Sequence, residues 1–414
     1  SIYGVDGSPV VKDIYANGVW KTVAVFGMGE GEHSYSALDI TNIDAPKHMW
    51  TFKNIPSTQK VEFWNASGSK TTLDYASIAP ERDYSKLGQA VSTPRIIRMK
   101  IGTTDKWVAI FGAGGNGGAA TAYGSAVYII DIADGGKVLR KIDVEDKLNN
   151  SVVNSVVASL VPVTADTTST ATYQGALVYF ADFESKLWKL NLTNKGSLYS
   201  LQKIFDGEAT VANQRRVFHD VSLSLDDNSK LWAFFGTGDR YNIAAENSLI
   251  KNRLFAIKDT NYPNFKSGVS LIKSANCKDV TNAGASCPDA SHDGWFVNLD
   301  KNEKISGSAA ISDRVVYFPR YTPNKLNPCN PGKALLSAHG YTFGNTLKKI
   351  NLGAGMATTP IIYKGKIYIG ISGAPGSSMD PGWTAVDNLI IGNTISGSGG
   401  SSNSFSIKSW RQLF

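Results

Sequence analysis

Cysteine, histidine and charge are all scarce in this chain of 414 residues: 3 cysteines, 5 histidines and 19% charged residues. There is no Cys-x-x-Cys, and His33, His48, His219, His292 and His339 lie too far apart in sequence for a zinc motif. No Gly-x-Ser-x-Gly elbow is present, which removes one common hydrolase signature. No apolar run approaches the roughly 18 residues that a membrane-spanning helix needs, so no transmembrane segment is expected. The first residues lack a charged region followed by an apolar one. Any export signal is therefore expected upstream of Ser1.

What the chain does contain points to β-structure. It has 40 Gly, 17 Tyr, 17 Phe and 9 Trp, and 42% of it is hydrophobic. That is enough apolar surface for a sizeable core and too much for a disordered chain. Glycine and aromatics with few charges suit short strands and tight turns. The net charge of +7 comes from 42 Lys+Arg against 35 Asp+Glu. The basic residues form no run longer than dipeptides such as Arg215-Arg216 and Lys348-Lys349. A mildly basic surface is the expectation, with no nucleic-acid partner.

A cycle recurs along the sequence without fixed spacing. A short strand follows Ser-Pro or Thr-Pro, a second strand ends in Gly, and a third ends in Asp. The first cycle reads Ser8-Pro9-Val10-Val11, Thr22 to Gly27, and Tyr35 to Asp39. The second reads Ser92-Thr93-Pro94 with Arg95-Ile96-Ile97, Trp107 to Gly112, and Ala126 to Asp131. Four looser cycles follow, led by Ala158-Ser159, Asp220-Val221-Ser222, Ser308-Ala309 and Thr358-Thr359-Pro360. Repeated small sheets that cannot bury both faces alone are the signature of a propeller. The spacing predicts one short helix, over Asp239–Asn252. Insertions are expected at Asn54–Lys86, Asp259–Asp289 and Gly373–Ser378. Residues 1–395 read as one β-propeller domain and 396–414 as a Gly/Ser-rich linker and tail.

The ordered set of motifs resembles the C-terminal domain of PilY/PilC-type type IV pilus tip proteins. Carrying it are Val5 to Val11, Trp20 to Gly29, Tyr35 to Thr41, Leu87-Gly88, Leu187-Trp188-Lys189-Leu190, Phe235-Gly236-Thr237-Gly238 and Asp293 to Leu299. Asn327-Pro328-Cys329 and Ser409-Trp410-Arg411-Gln412-Leu413 complete it. The resemblance implies an all-β modified propeller of seven blades. It also implies export from a Gram-negative cell to the pilus tip or outer-membrane surface. Implied roles are type IV pilus assembly, antagonism of retraction, twitching motility and adhesion. Implied partners are minor pilins or the pilus tip complex, and a host-cell or abiotic surface. No enzyme activity and no cofactor are expected. Relatives carry an Asp-rich calcium loop where this chain has Asp166 to Gly175, with Asp166 its one carboxylate. Calcium takes six to eight oxygen ligands, so an ordinary polar hairpin is expected and no metal. Asp226-Asp227-Asn228-Ser229 likewise reads as a turn. No Arg-Gly-Asp is present.

Other candidates are weighed on their chemistry. Gly112-Ala113-Gly114-Gly115-Asn116-Gly117 matches a dinucleotide fingerprint, but a β-type run follows it where that motif needs a helix. Glu30, Glu32 and His33 cluster in a Gly-rich turn that reads as a solvated loop. Trp188, Trp232 and Trp295 sit in apolar runs and are expected in the core. Cys277 and Cys287 flank a polar loop that a disulfide could close, and Cys329 leaves the pairing open. The segment Asp259–Asp289 is the expected variable contact surface. The alternative reading is a quinoprotein-like propeller dehydrogenase. Such enzymes carry a vicinal Cys-Cys pair, which this sequence lacks.

Overall fold

Strands account for nearly all the regular structure, because the apolar runs are short, β-branched and cut by Gly, Asp and Asn. The computed structural model describes residues 5–115, 123–144, 154–164, 175–247, 249–324, 331–373 and 379–397. Among these residues there is no α-helix, only three short 3-10 turns such as Pro56–Thr58. The runs Ala126–Asp131, Gly175–Ala181 and Lys186–Thr193 are buried at every position. A strand buried on both sides has a sheet covered on both faces. Each cycle read from the sequence falls on a set of consecutive strands, and six such sets lie among the described residues.

The chain divides into two units. The first comprises Ser1–Glu184, Trp188–Gln202 and Pro263–Gly268. Its opening sheet runs Val10–Ala16, Val19–Gly27, Ser34–Asp39 and Lys47–Ile55, each strand antiparallel to the next. The Asn54–Lys86 insertion is a structured extension of this sheet. Its hairpin Lys60–Trp64 and Lys70–Asp74 adds two further antiparallel strands. Arg95–Ile101, Thr104–Gly112, Ala126–Asp131 and Lys137–Asp143 form the next sheet. One apolar cluster joins the two sheets, with Tyr35 stacked on Phe111 at 4.2 Å and Phe52 on Tyr84 at 3.6 Å between ring centroids. Val161–Val163 pairs with Gly175–Ala181 beyond them.

The second unit comprises Ser185–Leu187, Lys203–Tyr262 and Val269–Phe414. Ser222–Leu225, Leu231–Gly236, Arg253–Asp259 and Gly294–Asn298 form an antiparallel sheet. Cys277–Asp279 joins its edge in parallel. Val315–Thr322, Lys333–Gly340 and Thr346–Ala354 form another sheet, and Ile361–Tyr363, Lys366–Gly370 and Leu389–Asn393 a third. Trp295, Val316 and Phe318 share one core between the first two of these.

The repeated sequence signals have a structural cause. Short strands end inside the protein, where an unpaired backbone group costs about 1–3 kcal/mol. The strand-leading hydroxyls supply partners. Ser92 Oγ accepts the Gly112 N–H at 2.9 Å and donates to the Ala158 carbonyl at 3.0 Å. Ser222 Oγ donates to Ala309 O at 2.6 Å, and Thr358 Oγ1 accepts from Gly370 N at 3.0 Å. The strand-ending glycines let adjacent chain pass close by. A Cβ on Gly27 would overlap the Ala90 carbonyl, and one on Gly112 the Val156 carbonyl.

The strand-ending aspartates divide their oxygens. Asp131 Oδ1 accepts the N–H groups of Ala133 and Asp134 at 3.0 and 3.1 Å, while Oδ2 meets Lys106 Nζ at 2.5 Å. Asp39 is alike, with Thr41 on Oδ1 and Lys21 on Oδ2. Burial would raise the Asp39 pKa, but hydrogen bonds from Thr41 and Lys21 outweigh it and hold it at about 2.

The helix expected over Asp239–Asn252 is absent from the described residues there. Polar side chains capture the backbone instead. Asp239 Oδ1 takes the Tyr241 N–H and Asn247 Oδ1 the Leu249 N–H, and the Lys251 N–H turns away to the main-chain carbonyl of Asn213. Such local bonds compete with helix hydrogen bonding.

Replacing Gly112 by Ala is expected to destabilise the protein by about 2 kcal/mol, through the forced shift of the Val156 backbone. Urea unfolding of the purified chain measures it; an unchanged midpoint would show that the chain approach is loose.

A candidate binding cleft in the second unit

The hairpin ends of the second unit enclose a cleft of about 700 Å³. Four segments build it: the acidic turn at Asp226, the strand end at Lys258, the loop Pro288 to His292, and the turn Gly340 to Asn345. Asp226 shapes the first wall. Its Oδ1 accepts from Asn228 N and Lys230 N at 2.9 and 2.8 Å, and its Oδ2 from the Trp232 indole at 2.9 Å. The turn expected over Asp226–Ser229 is therefore present and committed to its own backbone. Arg314 meets Asp227 at 3.2 Å, and Lys258 Nζ donates to His292 O at 3.1 Å. The Trp295 indole donates to Tyr341 O at 3.0 Å and pins the floor.

Each carboxylate of the cleft is engaged by neighbours within it. Asp289 Oδ1 accepts from Ser291 Oγ at 2.5 Å and from Ser291 N at 2.9 Å, and His292 Nδ1 lies 2.8 Å away. These contacts hold the Asp289 pKa at about 2. Burial pushes the Tyr341 hydroxyl up to about 12, with Asp227 and Asp226 adding to the effect. Behind the floor, burial drives His339 down to about 3, and Arg320 and Lys349 add to it. Its Nδ1 faces the Gly344 carbonyl at 3.1 Å.

The residues singled out in the sequence are dispersed. Trp188, Trp232 and Trp295 are core, as expected, at 8%, 5% and 0% exposure. Trp188 repeats the Trp232 arrangement, its indole donating to Asp182 Oδ2 at 2.8 Å. Glu32 pairs with Lys53 at 2.6 Å, and burial lowers the His33 pKa, so their turn is tied to the sheet. The Asp166 loop, Cys329, and Asn116 and Gly117 of the Gly-rich run lie outside the described residues. The Cys277–Cys287 bridge is not formed. Strand pairing with Gly294 holds Cys277 inside, whereas Cys287 stands on an exposed loop. Of the expected contact segment Asp259–Asp289, Thr260, Pro288 and Asp289 line the cleft. Sequence reasoning missed Arg314, Phe343 and Asn345. A Gly-bracketed aromatic turn, Gly340-Tyr341-Thr342-Phe343-Gly344, was the signal available.

Sheets of this kind, covered on both faces and locked at their ends, fit the propeller class. Residues 1–251, more than half of the chain, match the family model described as the PilY1 beta-propeller domain. The chain belongs to the PilY1 β-propeller domain family. The crystal structure of the Pseudomonas aeruginosa PilY1 C-terminal domain is similar in fold, with TM-score 0.60 at 18% identity over 90% of this chain and 84% of that one. A type IV pilus biogenesis factor PilY1 homolog of Xylella fastidiosa is 24% identical over 364 residues, covering 80% of this chain. PilY1 of P. aeruginosa strain UCBPP-PA14 is 26% identical over 190 residues, covering 46% of this chain. The chain spans 22% of the first relative's length, and the second match covers 13% of that protein. No helix among the described residues is long and apolar enough to cross a membrane.

Two outcomes are expected. His339 binds its proton far more weakly folded than unfolded, so its neutral form favours the native state above the ordinary histidine range. That contribution falls as pH drops from about 6.5 toward 3. Stability at about pH 5 should be about 2 kcal/mol lower than at neutral pH on this account. His339→Gln should flatten that part of the slope in denaturant titrations; an identical slope rejects the assignment. Burial also pushes the Cys277 thiol up to about 12. In a Cys329→Ser background, maleimide should modify Cys287 in the native protein and Cys277 only after unfolding. Equal native reactivity of both thiols contradicts this.

Proposed function

We propose that this chain is the binding domain of a type IV pilus biogenesis factor, acting by protein contact and carrying out no bond-breaking. The match of residues 1–251 to the PilY1 β-propeller family carries the reading. The names of the relatives from Xylella and Pseudomonas support it. In this reading the domain is exported to the pilus tip or outer-membrane surface. It engages minor pilins or the tip complex, supports pilus assembly, opposes retraction and so sustains twitching. It also presents loops to host cells or abiotic surfaces. Residues 1–395 form the propeller domain and 396–414 its linker and tail. The locked strand ends suit a rigid scaffold that displays loops, which is where recognition residues concentrate.

Deleting this domain from its gene should abolish surface pili and twitching while the remaining polypeptide is still made, as immunoblotting can check. Normal piliation and adhesion in such cells would overturn the proposal. A quinone absorbance band in the purified chain would instead favour a quinoprotein-like dehydrogenase.

A further inference from the structure

We propose that the cleft of the second unit binds a neutral saccharide. The inference deepens the reading of this domain as a recognition module and rests on it. The cleft's volume of about 700 Å³ lies within the range of ligand sites and admits a short oligosaccharide.

Charge decides the ligand class. The lining holds three carboxylates, Asp226, Asp227 and Asp289, and three cations, Lys230, Lys258 and Arg314, which sum to zero with His292 neutral. Asp226 is consumed by its turn and by Trp232, Asp227 by Arg314, and Asp289 by Ser291 and His292. A cationic ligand would find every carboxylate already engaged, and because the six charges cancel the lining offers an anion no net attraction. A neutral ligand leaves these contacts intact.

The groups left over are neutral. Asn228, Thr260, Thr342 and Asn345 line the cleft. Their side chains make no hydrogen bond among the described residues, so amide and hydroxyl donors and acceptors stand ready for the hydroxyls of a sugar. Phe343 stands 53% exposed on its turn, an apolar face on which the C–H face of a pyranose can lie. The floor beneath is fixed by the Trp232 and Trp295 indole bonds, so little ordering is needed on binding.

Saturation-transfer NMR and calorimetry on the intact chain test this, with lactose and chitotriose as neutral probes and 3′-sialyllactose as the anionic comparator. Both neutral sugars are weak, millimolar-range probes, and at least one should receive saturation. Phe343→Ala and Asn345→Ala, both at exposed positions, should each weaken it roughly tenfold. Trp20→Ala, at an exposed aromatic of the first unit, should leave binding unchanged. No transfer to either neutral sugar would overturn the proposal. So would binding that survives Phe343→Ala, tighter binding of sialyllactose, or loss on Trp20→Ala alone. Each of these would remove the sugar and leave the pilus reading standing, since that reading is scored separately by piliation and twitching.

Discussion

A strand only six or seven residues long, buried on both faces, has its ends inside the protein. Backbone groups there have no water to turn to, and this chain meets that constraint with side chains placed at strand ends. Ser92 accepts one strand's terminal N–H and donates to a neighbouring carbonyl. Asp131 closes a turn with one oxygen and holds Lys106 with the other. These bonds matter more than their individual energies, because each fixes the register in which an apolar run meets its neighbour. A slip by one residue would turn every buried side chain of a half-covered strand to the wrong face.

The same device builds the cleft. Asp182 and Trp188 stand six residues apart, as do Asp226 and Trp232, and in both pairs the indole N–H reaches the Oδ2 of the aspartate. In the first pair the arrangement is buried and purely structural. In the second it lies at a hairpin end that lines a cleft. A scaffold element thus becomes the wall of a recognition surface with no new chemistry, only a change in what lies over it. Rigidity below and variation above is the arrangement expected where loops carry recognition.

Much of this fold was legible in the sequence, for a physical reason. Gly27, Gly112, Asp39 and Asp131 each answer a local demand, a close chain approach or a turn closure, and local demands leave a residue at a fixed place in the cycle. The core tryptophans were legible because apolar neighbours on both sides leave them no wet face. The helix expected over Asp239–Asn252 failed because spacing of alanines and leucine was read without weighing Asp239 and Asn247, whose side chains turn the backbone. The cleft was only half legible. Its acidic turn and the Pro288–Asp289 loop were noticed, but Arg314 and Phe343 come from turns distant in sequence. Nothing in either turn records that they line one cleft.

The grouping Asp289, Ser291 and His292 bears on whether the cleft could do chemistry, since these are the residue types of a catalytic triad. A triad needs the serine and the carboxylate on opposite ring nitrogens, so that the imidazole takes a proton at one while the carboxylate steadies the other. Here Asp289 Oδ1 lies 2.8 Å and Ser291 Oγ 3.3 Å from the same nitrogen, Nδ1. Ser291 Oγ instead donates to the carboxylate at 2.5 Å, which removes it as a nucleophile activated by histidine. The Asp289 N–H also points at Nδ1, at 3.3 Å. All three residues belong to one turn, and their mutual bonds are what close it. The cluster is a self-capped loop end that holds the Pro288–His292 wall in place. Its chemistry is positional, as is that of the aspartates at the strand ends.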